Sequence, residues 1–203
     1  MDTCGDNNDN DNHFIVDSKQ NVILALDKTD QSYFLSMKLN GLSNSRIDID
    51  ELLSFKIYTL IEKLNPDIIE RITVIDDVNN NTKSFLIVFK PIGCEIGLKQ
   101  KYMCMRTVRE KTDNIISFKS LDFDISKKVI EDNGLQRMEK MVCHFANIYI
   151  KLDSKTGDNY SCCDISYFFK ITQSETLPKY MQHLIGLMMK KILLNVKTFV
   201  EKV

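Results

Sequence analysis

The period of hydrophobic and polar positions changes along the chain, and the changes mark out a strand-rich body between two helices. Phe14 to Asp27 and Tyr33 to Leu39 are short runs rich in β-branched and aromatic residues, which predicts strands. Asp27-Lys28-Thr29-Asp30 supplies hairpin-turn chemistry between them. Leu53, Ile57, Leu60, Ile61 and Leu64 then recur at helical spacing behind Asp48 and Glu51, which resemble a capping box. Pro66 stops that helix, because the residue before a proline, Asn65, is pushed out of helical geometry. Strands follow at Arg71 to Asp76, Ser84 to Lys90, Tyr102 to Arg109, Ile115 to Asp122, Phe145 to Leu152 and Cys162 to Thr172. Polar turns such as Val78-Asn79-Asn80-Asn81 separate them, and short connections imply antiparallel pairing. Ser126 to Lys140 is charged and irregular, a mobile loop or short helix.

The last segment reads as one long amphipathic helix. Pro178 suits its first turn, and Met181, Ile185, Met188, Ile192, Val196, Phe199 and Val203 follow the spacing of a single face. Gln182, Gly186, Lys190, Lys197 and Glu201 fall on the opposite face. From Pro178 to Lys202 such a helix would run about 37 Å, enough to cross a whole sheet. The fold class is α+β: a tail at 1–12, rich in Asn and Asp and expected to be disordered, precedes one domain over 13–203.

Composition narrows the function classes. With 203 residues, 43% of them hydrophobic, the chain has enough apolar material for a sizeable core. A formal net charge of -1 gives no basic surplus for neutralising nucleic-acid phosphates. No apolar run is long enough to span a bilayer, and Asp2 to Asn12 lacks the features of a secretory signal, so a cytoplasmic location is the expectation. The six cysteines form no CxxC pair and no zinc spacing, which points to small buried hydrophobes rather than a metal centre. Only three histidines occur, and no Ser/His/Asp order, HExxH, P-loop or GxGxxG is present. No enzyme, metal or cofactor is therefore expected.

Three features belong together: the stretch Leu98-Lys99-Gln100-Lys101-Tyr102-Met103-Cys104-Met105-Arg106, the strand Ser166-Tyr167-Phe168-Phe169-Lys170-Ile171 leading into Leu177-Pro178-Lys179, and the amphipathic last helix. From about Ile72 to Val203 they resemble the START domain, the lipid-transfer domain related to steroidogenic acute regulatory protein, within the helix-grip (Bet v 1-like) superfamily. That family has a loop and then a strand bearing an Arg at the first of these places, and a Leu-Pro step before its last helix. The family's Arg-Asp loop pair is replaced by Gln100-Lys101, and the strand Phe85-Leu86-Ile87-Val88-Phe89 carries no acid to pair with the Arg. The resemblance implies a helix-grip fold, a curved antiparallel β-sheet wrapped around a long C-terminal α-helix. It also implies a carrier holding one sterol, phospholipid or sphingolipid in an internal tunnel, with transient contact to a membrane surface.

A lipid tunnel needs an apolar, adaptable lining and one or two polar groups. The nine methionines suit such a lining, since unbranched thioethers repack around different ligands. The candidates are Met103 and Met105 on the Arg106 strand, and Met181, Ile185, Met188 and Ile192 on the last helix. Tyr167 and Phe169 join them, because strand alternation groups both with Cys163, Ile165 and Ile171 on one face. Arg106 is the candidate headgroup ligand; the other reading is an outer-face Arg paired with a surface acid. Lys179, Lys190, Lys191, Lys197 and Lys202 make the last helix basic, as a membrane-docking face or a solvated one. Two other functions fit the scaffold. One is a protein-interaction module without a tunnel; the other is a cyclase-type enzyme using Arg106 with Asp122 or Asp124.

Overall fold

The computed structural model describes residues 13–19, 21–40, 42, 52–153, 155–156, 159–173 and 183–202. The tail, the Asp48 and Glu51 capping pair, the Leu177-Pro178-Lys179 step and Met181 lie outside the described residues. The elements run β1 (His13–Lys19), β2 (Val22–Asp27), β3 (Tyr33–Asn40), α1 (Ile57–Leu64), β4 (Ile69–Asn79) and β5 (Thr82–Phe89). They continue through β6 (Lys101–Thr112), β7 (Ile115–Asp122), α2 (Lys127–Asp132), β8 (Glu139–Leu152), β9 (Lys155–Thr156), β10 (Asn159–Tyr160), β11 (Cys162–Gln173) and α3 (Leu184–Val200).

Among the described residues, nine strands form one sheet in the order β1-β2-β3-β11-β8-β7-β6-β5-β4. Neighbours are antiparallel, with a short parallel pairing of β6 and β8 from Lys101 opposite Glu139 to Met103 opposite Met141. The β2–β3 turn forms because Asp27 Oδ1 accepts from the Thr29 amide at 2.7 Å and Asp30 Oδ1 from that of Ser32 at 2.8 Å. Gln31 supplies the left-handed step there, with φ 60°. Register shifts at Ile69/Arg71, Val74/Asp76 and Asp77/Asn79 in β4, and at His144 of β8 opposite Lys170/Ile171, bend those strands. The sheet curves around α3, the helix-grip architecture.

Helix α1 lies beside α3 over the concave face. Its C-terminus is held by Asn65, fully buried, whose Nδ2 donates to Ile61 O at 2.8 Å. Asn195 of α3 donates from Nδ2 to Asn65 Oδ1 at 2.9 Å and to Leu64 O at 3.3 Å. Lys191 pairs with Asp67 just beyond α1.

The single-face reading of α3 is corrected. Ile185, Ile192 and Val196 are buried as expected, but so are Gly186, Lys190 and Lys197. The helix is covered on two sides, by the sheet's concave face and by the N-terminal strands. Gly186 meets the Tyr33 ring of β3. Lys190 is 4% exposed; its Nζ donates to Val22 O at 2.9 Å and pairs with Asp17 at 3.0 Å. Lys197 donates to Lys38 O and pairs with Glu201, whose Oε1 also accepts from the Asn40 amide at 3.0 Å. Each lysine buries its aliphatic stem and delivers its charge to a strand carbonyl and a carboxylate. These two lysines are therefore part of the packing, not of a membrane-docking face.

The charged stretch after β7 is the short helix α2 and its flanks, capped where Ser126 Oγ accepts from the Val129 amide at 3.3 Å. Leu135 from this segment forms a second, smaller core with Leu86, Val88, Tyr102 and Cys104 on the convex side of β5 and β6.

Candidate ligand-binding cavity

The alternation of the strands decides what faces inward. Ile87 and Phe89 of β5, Met103 and Met105 of β6, Phe118 and Ser120 of β7, and Ile165 and Tyr167 of β11 recur at every second position and line one internal cavity. Ala146, Ile148 and Ile150 of β8 complete its floor. The roof is Ile57, Tyr58 and Ile61 of α1 with Met189, Ile192, Leu193 and Val196 of α3. The cavity offers about 110 Å³ to the centre of a water-sized sphere. One buried water needs ~10–15 Å³ by that measure, so the space exceeds a packing defect. Among the described residues, no charged side chain lines it.

Its polar groups are hydroxyls. Tyr58 OH lies 3.3 Å from Thr107 Oγ1, which lies 2.9 Å from Ser120 Oγ, all three buried. Thr107 and Ser120 are direct cross-strand partners between β6 and β7, which is why their oxygens meet. The Tyr58 ring stacks on Phe85 at 4.0 Å. Tyr167 stacks on Phe169 at 4.6 Å, and its hydroxyl has no hydrogen-bond partner among the described residues. Burial pushes the Tyr167 phenol well above its ordinary value, with Cys143 and Tyr58 adding to the rise. Burial also raises Tyr58, partly offset by the neighbouring hydroxyls of Thr107 and Ser120. Both phenols remain neutral at physiological pH. Burial likewise pushes the thiols of Cys104, Cys143 and Cys163 up to about 12, so these behave as small hydrophobes.

The sequence candidates divide. Met103, Met105, Tyr167 and Ile192 come together around the cavity. Phe169 is fully buried behind Tyr167, between it and Tyr33, and packs the wall without lining the void. Ile185 and Met188 line a separate hollow of about 50 Å³ with Ile92, Leu98 and Met141. Met189 takes the place assigned to Met188. The lining role of α1 and the Tyr58–Thr107–Ser120 chain had no sequence signal, since the three hydroxyls meet only through sheet register.

Arg106 is not among the residues lining the cavity. It sits on the convex face with its side chain 43% exposed. Its Nε donates to Ser84 Oγ at 3.1 Å and its Nη2 to Asp76 at 3.3 Å, and its guanidinium lies 4.3 Å from the centre of the Phe123 ring. Asp76, Ser84 and Arg106 are opposite one another across β4, β5 and β6. The missing acid thus comes from the edge strand, placed there by a bulge. Asp122 and Asp124 are held by Lys140, at 2.6 and 2.9 Å, so Arg106 forms no pair with either. Arg106→Ala is expected to lower stability by about 1 kcal/mol, the scale of an exposed ion pair and cation–π contact, and to leave ligand uptake unchanged. Thermal melting beside a ligand titration checks both. Among the described residues, no cluster of His, Cys, Asp and Glu is placed to hold a metal ion. No helix among them is long and apolar enough to cross a membrane.

No family model matches the chain, and no curated protein matches its sequence. Solved structures do match. The human StAR-related lipid transfer protein 5 superposes with a TM-score of 0.72, covering 96% of this chain and 89% of that one. The chain has the fold of a START domain. The human StarD13 (DLC2) lipid transfer and protein localization domain gives a TM-score of 0.64 over 90% of this chain and 88% of that one. Human STARD10 gives 0.62 over 91% and 72%. Identities are 10%, 11% and 14%, so the START likeness is one of fold. At such distances side-chain roles do not transfer, and the hydroxyl-lined cavity stands on this chain's own residues.

Proposed function

We propose that this protein binds one lipid-like molecule in the cavity between sheet, α1 and α3, and carries it. The observation that supports this most directly is an apolar space, with no charged side chain among its described lining residues, roofed by two helices on a START-type fold. Met37, Met103, Met105 and Met189 in its wall can repack to widen it. The α1–α3 roof is joined by the Asn65–Asn195 contact and an exposed ion pair, a seam that can part without breaking the sheet. Transfer requires a surface that meets membranes. Ile92, 40% exposed in the β5–β6 connection beside Lys90 and Leu98, is the proposed contact, at the end of α3 where Leu184 and Met188 lie. The unpaired state of the described cysteines suits a cytoplasmic setting. Native mass spectrometry after incubation with a mixed lipid extract tests the reading. A one-to-one adduct that survives desolvation is expected. A bare protein across sterols, phospholipids and sphingolipids would overturn it.

A further inference from the structure

The walls of the cavity carry information about its ligand that the fold alone does not. Among the described residues the floor and roof are hydrocarbon, thioether and aromatic, interrupted only by the hydroxyls of Tyr58, Ser120 and Tyr167. Three hydroxyls in the Tyr58–Thr107–Ser120 chain make two hydrogen bonds, so one O–H proton is left over. The two ends of that chain, Tyr58 and Ser120, are the members that line the cavity; Thr107 is behind them. Tyr167, 8% exposed, brings a second O–H without a partner among the described residues. A hydroxyl donor that opens on the cavity without a protein acceptor can bond only what the cavity holds, so two of them at one wall mark where an oxygen of a bound molecule belongs.

What is missing is equally specific. Among the described residues the wall has no Arg, Lys or His to neutralise a phosphate or carboxylate, and no Asp or Glu to receive an ammonium. An ion moved into such a space without a partner costs several kcal/mol, order of magnitude, more than a few hydrogen bonds from hydroxyls return.

Building on the carrier reading, we infer that the ligand's buried part is uncharged and carries a hydroxyl or carbonyl oxygen, which accepts hydrogen bonds from Tyr167 and from an end of the hydroxyl chain, Tyr58 or Ser120. The site selects neutral alcohols and ketones of lipid character over phospholipid headgroups and ionised fatty acids. Phenols held neutral by burial serve this purpose at any physiological pH.

A matched series of equal chain length separates the contributions: decanol, decanone, decane and decanoate, titrated at neutral pH against the full chain and its Tyr167→Phe variant. Tyr167→Phe keeps the ring that stacks on Phe169 and removes only the oxygen. It is expected to weaken decanol and decanone by roughly 3- to 10-fold, the worth of one hydrogen bond, while leaving decane within about 2-fold. Ser120→Ala should act in the same direction on the same two ligands. Decanoate should bind wild-type protein more than about 10-fold weaker than decanol. Decanoate binding as tightly as decanol would overturn the inference while leaving the carrier reading intact. The same holds if Tyr167→Phe and Ser120→Ala both treat decanol and decane alike. Failure of the folded wild-type protein to bind any of the four would instead remove the cavity as a ligand site, and the inference with it.

Discussion

Gly186→Ala is expected to destabilise the protein by about 1–3 kcal/mol, the cost of overpacking a tight contact. An alanine in the middle of a helix normally stabilises it, by about 1 kcal/mol relative to glycine, so the sign of the effect is the test. At Gly186 an added Cβ would lie 2.5 Å from Tyr33 Cε1 and 2.8 Å from its Cδ1. The ring cannot swing aside cheaply, because it stacks on Phe169 at 5.2 Å and Phe169 is itself fully buried. The helix must therefore lift from β3, and the Lys190 and Lys197 contacts to Val22 and Lys38 lie on the same side of it. For a domain of this size each kcal/mol moves the melting temperature by roughly 2–4 °C. Tyr33→Leu should relieve the clash, so the double variant is expected to lose less than the sum of the two single changes. A Gly186→Ala protein that melts higher than wild type would mean that α3 does not approach β3 this closely.

Gly186 also shows where sequence patterning ends. In β11 the alternation Cys163, Ile165, Tyr167, Phe169, Ile171 was legible because a strand with one buried face has a period of two, and each of these residues is buried. The eight strand runs, the antiparallel pairing of strands joined by short turns and the closing helix followed from the same logic, whereas the pairing of β3 with β11 did not. In α3 a single apolar stripe was a false simplification. A helix packed between two layers buries glycine and lysine on its second side, and nothing in the spacing distinguishes a lysine reaching a strand carbonyl from one in water. Strand β6 failed for a related reason. Tyr102, Met103, Cys104 and Met105 are all buried, since the α2 segment covers the convex face there, so the apolar run around Arg106 did not reveal which way it points. Its partner Asp76 is 30 residues away and is aligned by a bulge. The hydroxyl chain is more distant still, with Tyr58 and Thr107 separated by 49 residues.

Ala146→Phe is expected to abolish uptake, lowering affinity for any ligand of the cavity by about 100-fold or more, equivalent to about 2.7 kcal/mol. Ala146 is the small residue of the floor, buried on β8 between Phe169 of β11 and Ser120 of β7. A ring at this position enters the void rather than packed atoms, so apolar burial offsets the strain and the melting temperature should stay within a few degrees of wild type. The pair with Met188→Trp is informative. Met188 sits in the smaller hollow beside Ile92 and Leu98, so a tryptophan there leaves the main cavity open and uptake should persist. The two variants thus assign the ligand to one space or the other. Loss of binding in Ala146→Phe with retention in Met188→Trp locates it under α1 and the middle of α3. The reverse result would move it to the β5–β6 connection and the start of α3, where neither Tyr167 nor Ser120 lines the wall, and an uncharged ligand would lose its physical basis.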